Sequence, residues 1–161
     1  MKQKLSMHGG IERRTFSKIL VAIDESKTSA ADRAVNYAVN IAQDYDARLV
    51  ILHVIRADVK LHGLSPPSHI IEMTKEAEAH FAKIIERAHE ESSDNDHALK
   101  IRTDIIASIR IGDAIVSYAK DKGIDLIITG TRGRSKLKSV LAGSIASDVI
   151  RYAHCPVMIV K

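Results

Sequence analysis

The sequence predicts an α/β fold, a parallel sheet with helices on both faces. Three observations predict it. Short aliphatic runs at residues 19–23, 48–54, 98–108, 124–130 and 157–160 read as five strands. Stretches with apolar residues at helical spacing lie between them, and strict alternation of the two kinds predicts βαβ units with parallel pairing. Trp is absent and only two Phe and four Tyr occur, so the core is aliphatic, drawn from Ile, Val, Leu and Ala.

The first run, residues 19–23, is apolar throughout, as expected of a strand buried on both faces. Residues 24–29 break it, and Ser29 with Asp32 has the spacing of a capping box. Ala31, Ala34, Val35, Ala38, Ile41, Ala42 and Tyr45 then recur on one helical face, and residues 44–46 end that helix. Residues 48–54 form a second buried strand. Gly63, Pro66 and Pro67 punctuate the loop that follows. Ile70, Met73, Ala77, Phe81, Ile84 and Ala88 mark a second amphipathic helix, closed by a polar break at 92–96. Residues 98–108 read as a third strand, interrupted at Thr103 and Asp104. Asp113 begins a third helix through Ala114, Ile115, Tyr118 and Ala119, and Gly123 stands where a C-cap glycine belongs. The fourth strand ends at Gly130. The fourth helix runs from about Gly143 to Ala153, and Pro156 leads the fifth strand.

A chain of 161 residues is read as one domain, burying about two-thirds of its unfolded surface without covalent staples. Hydrophobic residues make up 45% and charged residues 27%, the balance of a soluble globular domain. No apolar run approaches the ~20 residues of a membrane-spanning helix, and the basic start lacks the apolar segment of a secretory signal. Most of the net charge of +4 comes from the first 17 residues, where Lys2, Lys4, Arg13 and Arg14 face only Glu12. Residues 1–17 are therefore expected as a flexible basic leader and 18–161 as the domain. A basic excess confined to a leader favours a solvated segment over a nucleic-acid surface. The single Cys155 cannot form an internal disulfide, which fits a reducing cytoplasm.

The eight histidines lack metal-site spacing: His53 lies within a strand, His62 and His69 flank the proline loop, and His80 and His89 stand nine apart on one helix. Cys155 follows His154 directly, and adjacent side chains diverge, so the two are not read as nucleophile and base.

The glycines carry the chemistry. Gly130 and Gly133 leave the fourth strand, and Gly143 with Ser144 opens the fourth helix. Such a turn exposes backbone N–H groups that suit phosphate oxygens. Without Cβ atoms, the glycines let a phosphate approach the main chain closely, and the helix start adds partial positive charge. Ser144 and Ser147 offer hydroxyls, while Arg132, Arg134, Lys136 and Lys138 give the intervening loop a positive field. Asp24, where the first strand ends, can accept hydrogen bonds from ribose hydroxyls or hold water around Mg²⁺. The chain carries neither a Walker A loop nor a G-x-G-x-x-G after its first strand.

The pattern G-x2-G-x9-G-[ST] resembles the ATP-binding motif of the universal stress protein family. The resemblance extends to residues 18–26, to Leu52, His53 and Val54, and to residues 155–161. It implies a doubly wound five-stranded parallel sheet with strand order 3-2-1-4-5, like that of the adenine nucleotide α-hydrolases. In that order the sheet reverses between the first and fourth strands, and ligands of open α/β sheets bind beyond the carboxyl ends there. Matched position by position, it implies Ala22 and Asp24 beside the nucleoside, and Val54, at the second strand's end, meeting adenine with its backbone. Gly130, Thr131, Arg132, Gly133, Arg134, Ser135 and Lys136 match the phosphate loop. Gly143, Ser144, Ile145 and Ala146 match the helix start over the phosphates. Glu25 and Ser26 depart from the Gly-Ser or Phe-Ser of many members.

The ligand this implies is ATP with Mg²⁺. The resemblance also implies a homodimer through Val157–Val160, which would cover an otherwise exposed apolar edge. With no evident general base to activate water, hydrolysis is expected to be slow or absent. The resulting reading is a cytoplasmic stress-response sensor or adaptor. The alternatives are an ATP-hydrolysing or nucleotidyl-transferring enzyme on the same fold, or an interaction module that binds no nucleotide.

Overall fold

A computed structural model describes residues 15–23, 29–57, 59–60, 63–64, 67–91, 99–131 and 144–161. In chain order the elements are β1 (Lys18–Ile23), α1 (Ser29–Asp44), β2 (Arg48–Arg56), β3 (Val59–Lys60), β4 (Gly63–Leu64), α2 (Pro67–Glu91), β5 (Lys100–Ser108), α3 (Ile111–Lys122), β6 (Leu126–Gly130), α4 (Ser144–Tyr152) and β7 (Val157–Val160). Five strands form one parallel sheet in the order β5-β2-β1-β6-β7. Counting only those five, this is the expected 3-2-1-4-5. The other two, β3 and β4, make a small antiparallel ribbon that is too short to leave a hydrophobic pattern.

Residues on alternate faces of each strand enter different cores, the period-two consequence of a pleated backbone. Ile19, Val21, Leu49 and Ile51 pack with Ala34 and Ala38 of α1 and with Phe81 and Ile84 of α2. Leu20, Ala22, Val50, Leu52 and Val54 pack on the other side with Ile115 and Ala119 of α3 and Val149 of α4. The central strands are therefore apolar over most of their length, at residues 19–23 and 49–52, while the edge strand is not.

That contrast corrects the reading of β5. Its expected interruption at Thr103 and Asp104 does not occur, because these residues pair with Ile51 and Leu52 in an unbroken ladder. As an edge strand, β5 keeps Ile101 and Ile105 against one core and turns Arg102 and Asp104 to a wetter face. Polar residues here mark a half-covered strand, not a break.

The helix ends follow local chemistry. At the close of α3, Gly123 adopts φ 63° and ψ 50°. Its N–H donates to the Lys120 carbonyl at 3.2 Å, and the Ile124 N–H donates to the Ala119 carbonyl at 2.9 Å, a Schellman pair. The start of α3 lies two residues ahead of the expected Asp113. There the Arg110 N–H donates to the Ser108 hydroxyl at 3.2 Å, and the Arg110 guanidinium meets the Asp113 carboxylate at 2.7 Å. Gly112 lets α3 cross α4 closely, since a Cβ on it would lie 2.6 Å from the Cβ of Asp148.

Phe16 and Ser17, counted with the leader in the sequence reading, are tied to the domain. The Phe16 ring stands edge-on to Tyr45 at 5.1 Å. The Asp125 carboxylate accepts the backbone N–H groups of Ser17 and Lys18, each at 2.9 Å, and the Ser17 hydroxyl at 2.6 Å. Partial burial pushes the Asp125 pKa up, but these bonds outweigh it and hold the carboxyl below its ordinary range. Residues 1–14 lie outside the described residues.

Candidate functional site

The crevice expected of this topology lies where β1 and β6 finish level with each other and β2 runs further. Its pairing with β2 ends at Ile23 and His53, while β2 continues to Arg56 beside β5. On the other side, β6 pairs with β7 as far as Gly130 and Val160, and the Thr131 N–H extends that ladder by donating to the Val160 carbonyl at 2.8 Å. Among the described residues, the carboxyl ends of β1, β2 and β6 thus meet at the reversal point of the strand order, the place of the expected notch.

Seven of the expected site residues can be placed. Ala22 lies between Leu52 and Thr129 in the register, with 7% of its surface exposed. Val54 is equally buried, but it is not the end of its strand, because β2 runs two residues further, paired with β5. The β1 position that would face it, Asp24, lies outside the described residues.

Gly130 ends β6. A Cβ there would meet Ala30 in the first turn of α1 at 3.6 Å, an ordinary contact. A Cβ would therefore fit here, and the packing of α1 on β6 does not by itself require glycine. Thr131 is buried, and its amide is committed to Val160, so that amide is not open to a phosphate. On the first turn of α4, Ser144 is exposed, Ile145 packs against the core below α3, and Ala146 is buried. Asp24, Arg132, Gly133, Arg134, Ser135, Lys136 and Gly143 lie outside the described residues.

These positions suit an adenine nucleotide in part. Ala22, Val54 and Gly130 are small or apolar, so they present surface and main chain to a base and sugar. The Ser144 hydroxyl and the helix start offer donors to an anion. Basic side chains and a carboxylate for Mg²⁺ would have to come from positions outside the described residues.

His154 and Cys155 diverge as expected. The His154 Nε2 lies 3.1 Å from the Ile124 carbonyl oxygen, and Cys155 packs against the core. Burial, followed by the Asp125 carboxylate, pushes the Cys155 thiol up from its ordinary range, the opposite of an activated thiolate. His53 is buried within β2.

The sequence reading did not anticipate a cluster at the edge of the sheet. The Tyr118 hydroxyl donates to the Asp104 carboxylate, and the Arg102 Nε donates to both Asp104 oxygens at 3.1 and 3.2 Å. Burial raises the pKa of Asp104, but Tyr118 and then Arg102 hold it below the ordinary range. Burial first and the Asp104 bond second push the Tyr118 phenol up to about 12. The apparent break at residues 103–104 was the trace of this cluster in the sequence.

The sequence profile described as the Universal stress protein family matches residues 15–161. The chain belongs to the universal stress protein family. It is 38% identical over 152 residues to the universal stress protein YxiE of Bacillus subtilis, covering 91% of this chain and 99% of that one. The solved structure of the universal stress protein UspA from Lactobacillus plantarum overlays with a TM-score of 0.69 at 30% identity, covering 92% of this chain and 100% of that chain. A universal stress protein from Archaeoglobus fulgidus, solved in complex with dAMP, overlays with a TM-score of 0.66 at 20% identity, again over 92% and 100% of the two chains. That last likeness concerns the fold alone. Membership gives the universal stress protein sheet its place here: the strand order seen in the structure is the one the glycine motif implied. Among the described residues, no helix is long and apolar enough to cross a membrane.

Proposed function

We propose that this universal stress protein binds ATP with Mg²⁺ at the notch beyond β1 and serves in the cytoplasm as a nucleotide-dependent sensor or adaptor. The observation that carries this reading is the register: the pairing of β1 with β2 reaches Ile23 and His53 at the switch point while β2 runs on to Arg56 beside β5, and Gly130 ends β6 on the other side. The fold of the Archaeoglobus fulgidus protein holds dAMP, which supports an adenine nucleotide as the kind of ligand. Ala22 and Val54 would border the nucleoside. The glycine loop through Gly133 and Gly143, with Ser144 at the helix start, would take the phosphates. Asp24 would hold water around Mg²⁺, which screens phosphate charge when bound. Since no residue is assigned to activate water, the reading includes slow or no hydrolysis.

Calorimetric titration with ATP, ADP and AMP tests the site. A bulky side chain in the phosphate path, Gly143→Leu, is expected to weaken ATP binding by about tenfold or more, the loss of one or two charge-assisted hydrogen bonds. Unchanged affinity overturns the site. Phosphate release at rates typical of enzymes, abolished by Asp24→Ala, would replace the sensor reading with the enzymatic one.

The outer strand β7, with Val157, Met158 and Ile159 half-buried, would pair with the same strand of a second copy. Light scattering at micromolar concentration should read the mass of two chains, and the mass of one removes the dimer.

A further inference from the structure

At the amino end of the sheet, three cations stand side by side. Lys18 pairs with Arg48, and Arg48 pairs with Lys100, across β1, β2 and β5. Partners in adjacent strands are about 4.8 Å apart and share a face, so the row places three positive charges next to one another. Like charges set directly opposite across strands are destabilising. Arg102, beside Val50, follows on the same face, and Lys122 lies at the end of α3. These five cations line a cavity of about 260 Å³ with no acidic side chain in its lining.

The charges are incompletely neutralised. Lys100 meets Asp46 at 3.2 Å, but both side chains are more than half exposed, and exposed pairs contribute little. Arg102 is paired with Asp104. The Lys18 ammonium donates to the Lys122 carbonyl at 2.8 Å, and the Asp125 carboxylate attracts its charge without a direct ion pair. Among the described residues, the Arg48 guanidinium has neither a hydrogen bond nor an ion pair. The rest of the lining is of a different kind: Val50 and Ile124 are apolar, and Tyr118 presents its ring, with the Lys122 ammonium 5.8 Å from its centroid.

We infer that this cavity is a second ligand site, separate from the switch-point notch, for a small phosphate monoester with a planar apolar body. The cation row supplies the multiple donors a phosphate dianion takes, and its repulsion falls when the dianion binds. The apolar lining and the Tyr118 ring suit the body. The volume lies just below the usual range for small-molecule pockets, about 300–1,000 Å³, which selects a compact ligand.

The test is titration of the full chain with 1-naphthyl phosphate, followed by ¹H–¹⁵N shifts, with 1-naphthol, inorganic phosphate and ATP as parallel probes. Saturable shifts should centre on Arg48, Arg102 and Lys122 and weaken as salt rises. Arg48→Gln should lower the affinity by about tenfold, the worth of one charge-assisted contact, while leaving the melting temperature unchanged or higher because a repulsion is removed. Lys100→Gln, at a more than half-exposed position, repeats the measurement if the first variant does not fold. Affinity unchanged in both variants overturns the site, as do shifts scattered over the surface. Naphthol binding as tightly as its phosphate makes the cavity merely apolar, and displacement of the probe by ATP removes the separation between the two sites.

Discussion

Toward the carboxyl end of the sheet, the row of Asp104, Leu52, Ala22, Thr129 and Ile159 carries one charge, at the outer strand β5. At the amino end, Lys100, Arg48 and Lys18 place three cations in adjacent strands. The same three strands, β5, β2 and β1, or their neighbours, supply both rows, so strand identity does not set the chemistry. The difference lies in what each end can offer a ligand. At the carboxyl end, small residues bare the main chain and a helix start, so recognition depends on backbone shape and is sensitive to added bulk. At the amino end, long cationic side chains surround an apolar lining, so recognition depends on charge and is sensitive to salt.

Two substitutions probe that division. The larger effect belongs to Gly112→Leu. A Cβ at this position already reaches to 2.6 Å from the Cβ of Asp148, so the substitution wedges α3 from α4 and should cost about 2–3 kcal/mol by overpacking, read from urea denaturation. Because α4 begins at Ser144, nucleotide binding should weaken while naphthyl phosphate still shifts Arg48. Loss of both binding activities at once would mean that the two ends are not independent.

The smaller effect belongs to Tyr118→Phe, which removes the hydroxyl bond to Asp104 and should cost about 0.5–1.5 kcal/mol near neutral pH. The pH dependence has a definite sign. A phenol raised from 10.0 to about 12 on folding stabilises the protein fully below pH 10, and that contribution is lost as pH rises through 12. Wild-type stability should therefore decline across this window relative to the phenylalanine variant. Parallel curves for the two proteins would show that the hydroxyl bond contributes nothing to folding.

Much of the sheet was legible because its central strands are buried on both faces. Residues 19–23 and 49–55 are almost all apolar, and such runs have few other homes. The edge strand β5 was legible only in outline: with one face half-covered, its Asp104 resembled a turn residue until the Tyr118 and Arg102 partners were in place. The start of α2 came earlier than its apolar stripe, at Pro67, where a proline loses no intrahelical bond. Alternation of elements could not order the strands; the glycine motif did so through its family. In the site, Gly130 was foreseen, but the Thr131 amide was not known to be spent on Val160, since that bond joins strands distant in sequence. The cation row was invisible for the same reason, as Lys18, Arg48 and Lys100 become neighbours only once the register is fixed.

The Asp125 carboxylate has a mechanical meaning. It bolts the amides of Ser17 and Lys18 to the root of β6, 108 positions later in the sequence for Ser17. Tension applied to the leader would therefore pull on both central strands of the sheet together, and not peel β1 away on its own. Cargo fused ahead of Thr15 would hang from a fixed hinge at the amino end of the sheet, the end remote from the nucleotide notch.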